Sequence, residues 1–203
     1  MQVSARDSII DAAEAVFAEK GFSGTSMNAI SKAAGVSKSL LYHHFQSKRL
    51  LWEEVVSCLV SRSALHEKIR ATVSMLMDLD LDEVRSRSGH RGYFDFLKKN
   101  PGFVRMLAWL NAERSFPMSG PPMGLVSEVT TNLRTLQERG VFRKDVDARM
   151  FVVFFMAICE FWFVSADRVT EWFGGVPPDD GDADEYIAAA GKVLFTGMRG
   201  GSG

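Results

Sequence analysis

Between Val36 and Lys48 the chain reads VSKSLLYHHFQSK, in which serine, lysine, tyrosine and histidine surround Leu40, Leu41 and Phe45. Leu41 and Phe45 stand one helical turn apart, so a helix begun at Ser37 turns both toward a core. Lys38, Ser39, Tyr42 and His43 are left on another arc. That arc has the chemistry to read duplex DNA. In the major groove a lysine donates to guanine O6 or N7, and a serine reaches several bases. Tyr42 suits the backbone or a thymine methyl, and His43 a phosphate. Lys48, just past the helix, is placed for a phosphate rather than a base.

Such a helix needs a frame. Thr25 is predicted to cap a short preceding helix that carries Met27, Ile30 and Ala34 inward. The turn AAGVS follows: Gly35 takes a positive φ, Val36 plugs the corner and Ser37 caps the next helix. Two helices joined so tightly must cross steeply, as in a helix-turn-helix. A first helix from about Ala5 to Lys20 covers them with Ile9, Ala13, Val16 and Phe17. Ser4 and Asp7 form its capping box, and Gly21 supplies the left-handed residue that lets Phe22 pack back.

Charge separates a groove-binding surface from an ordinary wet face. The formal net charge is -1, so overall basicity says nothing about nucleic acid. From Gly21 to Trp52, however, there are Lys32, Lys38, Lys48 and Arg49 and no aspartate or glutamate. Thr25 and Ser26 add hydroxyls and backbone N–H groups at a helix start, where phosphate is favoured. One such head binds weakly. Two heads placed roughly 34–36 Å apart, or a multiple of that, read a duplex in register, which predicts a homodimer on a palindromic operator.

The rest of the chain is predicted to be helical as well, giving an all-α fold without hairpin-like alternation. The expected division is a DNA-binding domain over 1–50 and a helical effector-binding and dimerisation domain over 51–203. Punctuation falls at 86–92, at KKNPG (98–102), in a loop FPMSGPPMG (116–124), at Gly140 and in the acidic loop PPDDGDADE. Pro101 starts one helix, Asp145 or Asp147 caps the next apolar one, and a last helix is expected around Tyr186–Met198. The most apolar run, MFVVFFMAIC, is ten residues before Glu160 interrupts it. A bilayer needs about 20, so no membrane partner is expected. The opening residues lack a signal-peptide pattern, and Cys58 and Cys159 make no disulfide framework, which points to the cytoplasm.

The residues RDSIIDAAEAVFAEKGFSGTSMNAISKAAGV and SKSLLYHHFQSKRLLWEEV, roughly Ala5 to Val55, resemble the TetR family of bacterial transcriptional regulators. The resemblance implies that Thr25, Ser26 and Lys48 approach phosphate and that Lys38, Ser39, Tyr42 and His43 face DNA from the recognition helix. Leu40 stands where the family often has a small polar residue. The resemblance also implies a homodimer, an all-helical C-terminal domain holding a ligand, and repression relieved when that ligand changes the spacing of the two heads. The segments YFDFLKKNPGFVRMLAWLNAER and ERGVFRKDVDARMFVVFFM resemble the family's pocket-side and dimerisation-side helices in layout.

Twelve of the fifteen phenylalanines follow residue 90. Most belong to a core, but rings and methionines can also enclose an apolar cavity, for which Met106, Trp109, Leu110, Phe155 and Phe163 are the candidates. The run from Phe151 to Phe163 is apolar nearly all round and needs cover on two sides. Phe151, Phe154, Ile158, Ile187, Val193 and Leu194 are therefore assigned to a four-helix dimer seam. Glu160 either anchors a pocket or meets an interface arginine, or else reaches water at the helix edge. His66 lacks HExxH spacing, and His90 sits in an arginine-rich turn. His43 and His44 point apart and make poor joint metal ligands. No phosphate loop, nucleophile elbow or cysteine zinc pattern occurs, so neither metal nor cofactor nor catalysis is expected. The alternative to a regulator is a helical small-molecule-binding or interaction protein without operator-specific DNA binding.

Overall fold

The computed structural model describes residues 4–62, 67, 91–113 and 121–197. His66, His90, most of the punctuation at 86–92, the first part of the 116–124 loop and the GGSG tail lie outside them. Among the described residues every regular element is helical: α1 (Ala5–Gly24), α2 (Met27–Ala33), α3 (Lys38–His44), α4 (Lys48–Arg62), α5 (Gly92–Lys99), α6 (Pro101–Glu113), α7 (Pro121–Glu138), α8 (Ala148–Val164), α9 (Ala166–Trp172) and α10 (Asp180–Gly197). The chain forms two compact units, residues 1–63 with 100–123 and residues 64–99 with 124–203.

In the first unit α1 starts where the capping signal stands. The Ser4 hydroxyl oxygen accepts from the Asp7 N–H at 3.1 Å. The helix proper breaks at Gly21, with φ 70 and ψ 179, a backbone state that only glycine adopts readily. Beyond the break Phe22 turns back on Phe17, and Trp52 of α4 sets its edge against both rings at 4.9 and 5.7 Å. Ile9, Ile10, Phe17, Ile30, Leu41, Leu51 and Val55 are buried. Exposed ion pairs, Arg6 with Glu54 and Arg62 with Asp11, border α1 and α4.

Helix α6 runs parallel to α1. Gly102 faces Glu14, whose carboxylate would lie 3.1 Å from an added Cβ, and further along both helices Trp109 lies against Gly21. Phe103, Met106 and Leu107 are buried. Burial of the Glu14 carboxyl raises its pKa above the ordinary value.

In the second unit α7 ends as expected. Gly140 takes φ 76, Gly140 N–H donates to Gln137 O, and Val141 N–H to Leu136 O, a complete Schellman cap. Leu133, Leu136, Phe142, Ala148, Phe151 and Val152 form a core cluster. Asp147, rather than Asp145, caps α8 by accepting from Arg149 N–H at 2.8 Å. Tyr186 donates to Ile158 O and Phe195 meets Phe151, so α10 lies antiparallel to α8.

Three expectations need correction here. Helix α7 begins inside the predicted 116–124 loop, because Pro121 is suited to the first position of a helix. The acidic PPDDGDADE segment is partly helical: Asp179 and Asp182 cap each other's backbone N–H at 2.9 and 3.0 Å, starting α10 six residues earlier than Tyr186. The short α9 has no counterpart among the predicted elements.

Candidate nucleic-acid interface

The turn between α2 and α3 is built from its own residues. Gly35 takes φ 66 and its N–H donates to Lys32 O, while Val36 N–H donates to Ser31 O, so α2 ends in a Schellman cap. Ser37 then accepts from Leu40 N–H at 3.1 Å and starts α3 at once. With one residue left over between two caps, the helices have no room to run on. Leu41 is fully buried and Phe45 nearly so. Lys38, Ser39, Tyr42 and His43 are exposed. Tyr42 retains 49% exposure.

Ser26, not Thr25, is the cap of α2, its hydroxyl accepting from Ala29 N–H at 3.1 Å. Thr25 is only 3% exposed, and its hydroxyl donates to Gly21 O at 2.6 Å. It closes the turn after α1 from inside, whereas Ser26 is at the surface. Lys48 has a structural duty as well. Its ammonium donates to Phe22 O and Thr25 O, both at 2.7 Å, and stands 4.5 Å from the centre of the Phe22 ring. Two of its three donors thus tie α4 to the corner between α1 and α2. Lys32 and Lys38 are exposed, and Arg49 pairs with Glu53 at 3.0 Å.

His43 and His44 do not splay apart: their rings meet edge to face at 5.4 Å. Among the described residues no three His, Cys, Asp or Glu gather in a way that could hold a metal. Two residues outside the predicted site also belong to this region. Leu40 lies exposed on α3, and Glu113 reaches the corner from α6.

The pocket candidates divide between the units: Met106, Trp109 and Leu110 are in the first, Phe155 and Phe163 in the second. Met106 is fully buried. Phe163 packs on Phe94 at 4.7 Å. Of the seam candidates, Phe151 and Ile187 point into their own unit and are buried. Phe154 and Val193 are exposed by 52% and 72%, Met150 and Val153 of α8 are exposed too, and Ile158 and Leu194 are half-buried. Helix α8 does have an inner and an outer apolar side; the outer one is carried by 150, 153 and 154.

Glu160 has a partner that the sequence does not announce. It is half-buried on α8 and accepts from the Tyr93 hydroxyl at 2.7 Å. Burial raises its pKa, and the Tyr93 hydrogen bond offsets part of that. Beside it, burial pushes the Cys159 thiol to about 12, which keeps it protonated and unreactive. Both cysteines are free. Among the described residues no single helix is long and apolar enough to cross a membrane.

The described geometry is that of a helix-turn-helix head followed by a helical body, and comparison with known proteins agrees. Residues 9–55 match the model described as bacterial regulatory proteins, tetR family, and residues 86–191, more than half of the chain, match the tetracyclin repressor-like C-terminal domain. The chain belongs to the tetR family of bacterial regulatory proteins, a family of regulators rather than enzymes. The biofilm operon icaADBC negative transcriptional regulator IcaR of Staphylococcus aureus is 43% identical over 53 residues, 26% of this chain and 28% of its own. The match therefore spans little more than a quarter of that relative. The transcriptional repressor NicS of Pseudomonas putida is 25% identical over 96% of this chain and 92% of its own. The TetR family regulator PfmR of Thermus thermophilus shares the fold at a TM-score of 0.64, with 23% identity over 99% of this chain and 100% of PfmR.

Proposed function

We propose that the protein is a sequence-specific DNA-binding repressor that acts as a homodimer in the cytoplasm and leaves its operator when a small apolar or aromatic molecule binds. Residues 1–50 form the DNA-binding domain and 51–203 the effector-binding and dimerisation domain. The observation that carries this reading is α3 itself. Its buried side is apolar, its exposed side offers Lys38, Ser39, Tyr42 and His43, and the segment around it contains no acidic residue.

Base reading belongs to those four side chains. Phosphate contact belongs to Ser26 and to the remaining donor of Lys48, with Thr25 holding the turn that presents them. The outer apolar stripe of α8 and Val193 of α10 favour a symmetric partner, and a two-fold dimer requires a palindromic operator. The names of NicS, a repressor, and IcaR, a negative regulator, favour repression as the sign. For the effector, the apolar character of Phe155 and Phe163, the latter packed on Phe94, favours an apolar or aromatic molecule.

A gel shift of the ligand-free protein at low salt against duplexes flanking its own gene tests the reading. One duplex should be retarded in preference to scrambled sequence. Replacing Ser39 or Tyr42 with alanine should change which sequences are preferred. Binding without any sequence preference would reject the proposal.

A further inference from the structure

Leu40 is an apolar side chain on a polar face. It is the third residue of α3 and retains 36% exposure, while its neighbour Leu41 is fully buried. At about 100° per residue, Ser39 and His43 point most directly away from Leu41, and Leu40 and Tyr42 flank that line by about 80° on either side. Leu40 therefore borders the reading arc opposite Tyr42. Its backbone is held there, since its N–H donates to the Ser37 cap. A single exposed leucine is ordinary on a protein surface. At the first turn of a helix that enters the major groove it is not, because that turn meets base edges.

In the groove a leucine has one favourable counterpart. Thymine alone presents a methyl group there, at C5, where cytosine carries only a hydrogen; the purines present chiefly hydrogen-bonding groups. Against thymine Leu40 buries apolar surface on both sides. Against a purine it covers a donor or acceptor and leaves it without water or partner, and against cytosine it loses the methyl contact. Resting on the DNA-binding function proposed above, we infer that Leu40 is a specificity-determining residue that selects a thymine in each half-site through its methyl group.

The test uses the full-length protein and a duplex selected by it from a randomised pool at low salt. Each thymine of that duplex is replaced in turn by deoxyuridine, which pairs identically but lacks the methyl. One symmetry-related thymine per half-site should show a loss of about three- to tenfold on replacement, the scale of one buried methyl or a little more. Leu40→Ala should bind the unmodified duplex more weakly and be indifferent to that replacement, while Leu40→Met should keep the sensitivity. Because Leu40 is exposed, both variants should melt with the parent protein. If the selected duplex shows no deoxyuridine position that separates the parent from Leu40→Ala, or if Tyr42→Ala abolishes the sensitivity and Leu40→Ala does not, the inference fails while DNA binding stands. If the pool yields no preferred sequence, the DNA-binding reading fails and this inference with it.

Discussion

Glu113, at the end of α6, accepts hydrogen bonds from both the backbone N–H and the hydroxyl of Ser23, at 3.1 and 2.8 Å. Ninety residues separate the two in sequence. Ser23 lies in the turn after the Gly21 break, where α1 no longer supplies partners, so the carboxylate completes a corner that the local chain leaves open. The same corner leads directly into α2 and so to α3. Glu113→Ala should lower unfolding stability by about 1–2 kcal/mol, as for loss of charge-assisted hydrogen bonds at a partly exposed site. It should also weaken binding to all duplexes alike, because it disturbs the seat of the head and no base contact. Urea denaturation and gel shifts measure the two effects, and an unchanged denaturation midpoint would contradict this assignment.

Gly21 is constrained twice. Its φ of 70 already suits only glycine, and a Cβ there would stand 2.4 Å from a Glu113 oxygen and 2.9 Å from the Trp109 ring. Gly21→Ala should therefore cost about 3 kcal/mol or more, combining backbone strain with a clash against a rigid ring. Adding Glu113→Ala should recover only a small part, because the indole and the dihedral angle remain. A double-mutant cycle by chemical denaturation reads this directly. A neutral Gly21→Ala would mean the corner can relax.

A substitution at Lys48 tests its structural role and the proposed phosphate contact together. Two carbonyls hold its ammonium at 2.7 Å, so Lys48→Ala should lower stability by roughly 1–2 kcal/mol. If its remaining donor and its charge also reach phosphate, the same variant should flatten the salt dependence of DNA binding by about 1 per subunit. Lys48→Met separates the tasks in part, keeping the stem over Phe22 but neither the charge nor the donors. A salt slope unchanged in Lys48→Ala would confine this lysine to holding the corner.

The head is legible in sequence because its instructions are local. Gly35, Val36 and Ser37 specify one cap and the next within three residues, and Leu41 and Phe45 fix the buried side by spacing alone. Thr25 and Ser26 show the limit of that reasoning. Both are good caps by type, and the choice falls to Ser26 because Thr25 is drawn inward by the carbonyl of Gly21. The Glu113–Ser23 and Trp109–Gly21 contacts leave no local signal, since their partners meet only after α6 packs along α1. Helix α8 fails differently. A helix apolar all round does not say which stripe stays in its own unit, so spacing sends Phe151 outward with Phe154, whereas only Phe154 is at the surface.

Burial of the Glu160 carboxyl, only partly offset by the hydrogen bond it accepts from Tyr93, gives the second unit a pH dependence of definite sign. Among the described residues no lysine or arginine pairs with Glu160, and burial disfavours its ionised form. Its folded-state pKa is raised, so between the ordinary carboxylate value and the raised one the native chain binds more protons than the unfolded chain. Stability from this group is then greatest at low pH and declines as pH rises through that window. Glu160→Gln keeps an oxygen to accept from Tyr93 and removes the ionisation. The variant should melt higher than the parent at about pH 7.5, and the difference should shrink as pH falls toward about 4.5. Asp147, held down to about 2 chiefly by its hydrogen bond from Arg149, titrates below this window and is common to both proteins. Parallel thermal melts from about pH 4.5 to about pH 8 decide the matter. A difference that stays constant with pH, or a glutamine variant that melts lower near neutrality, would show that the carboxylate is ionised without penalty in the folded protein.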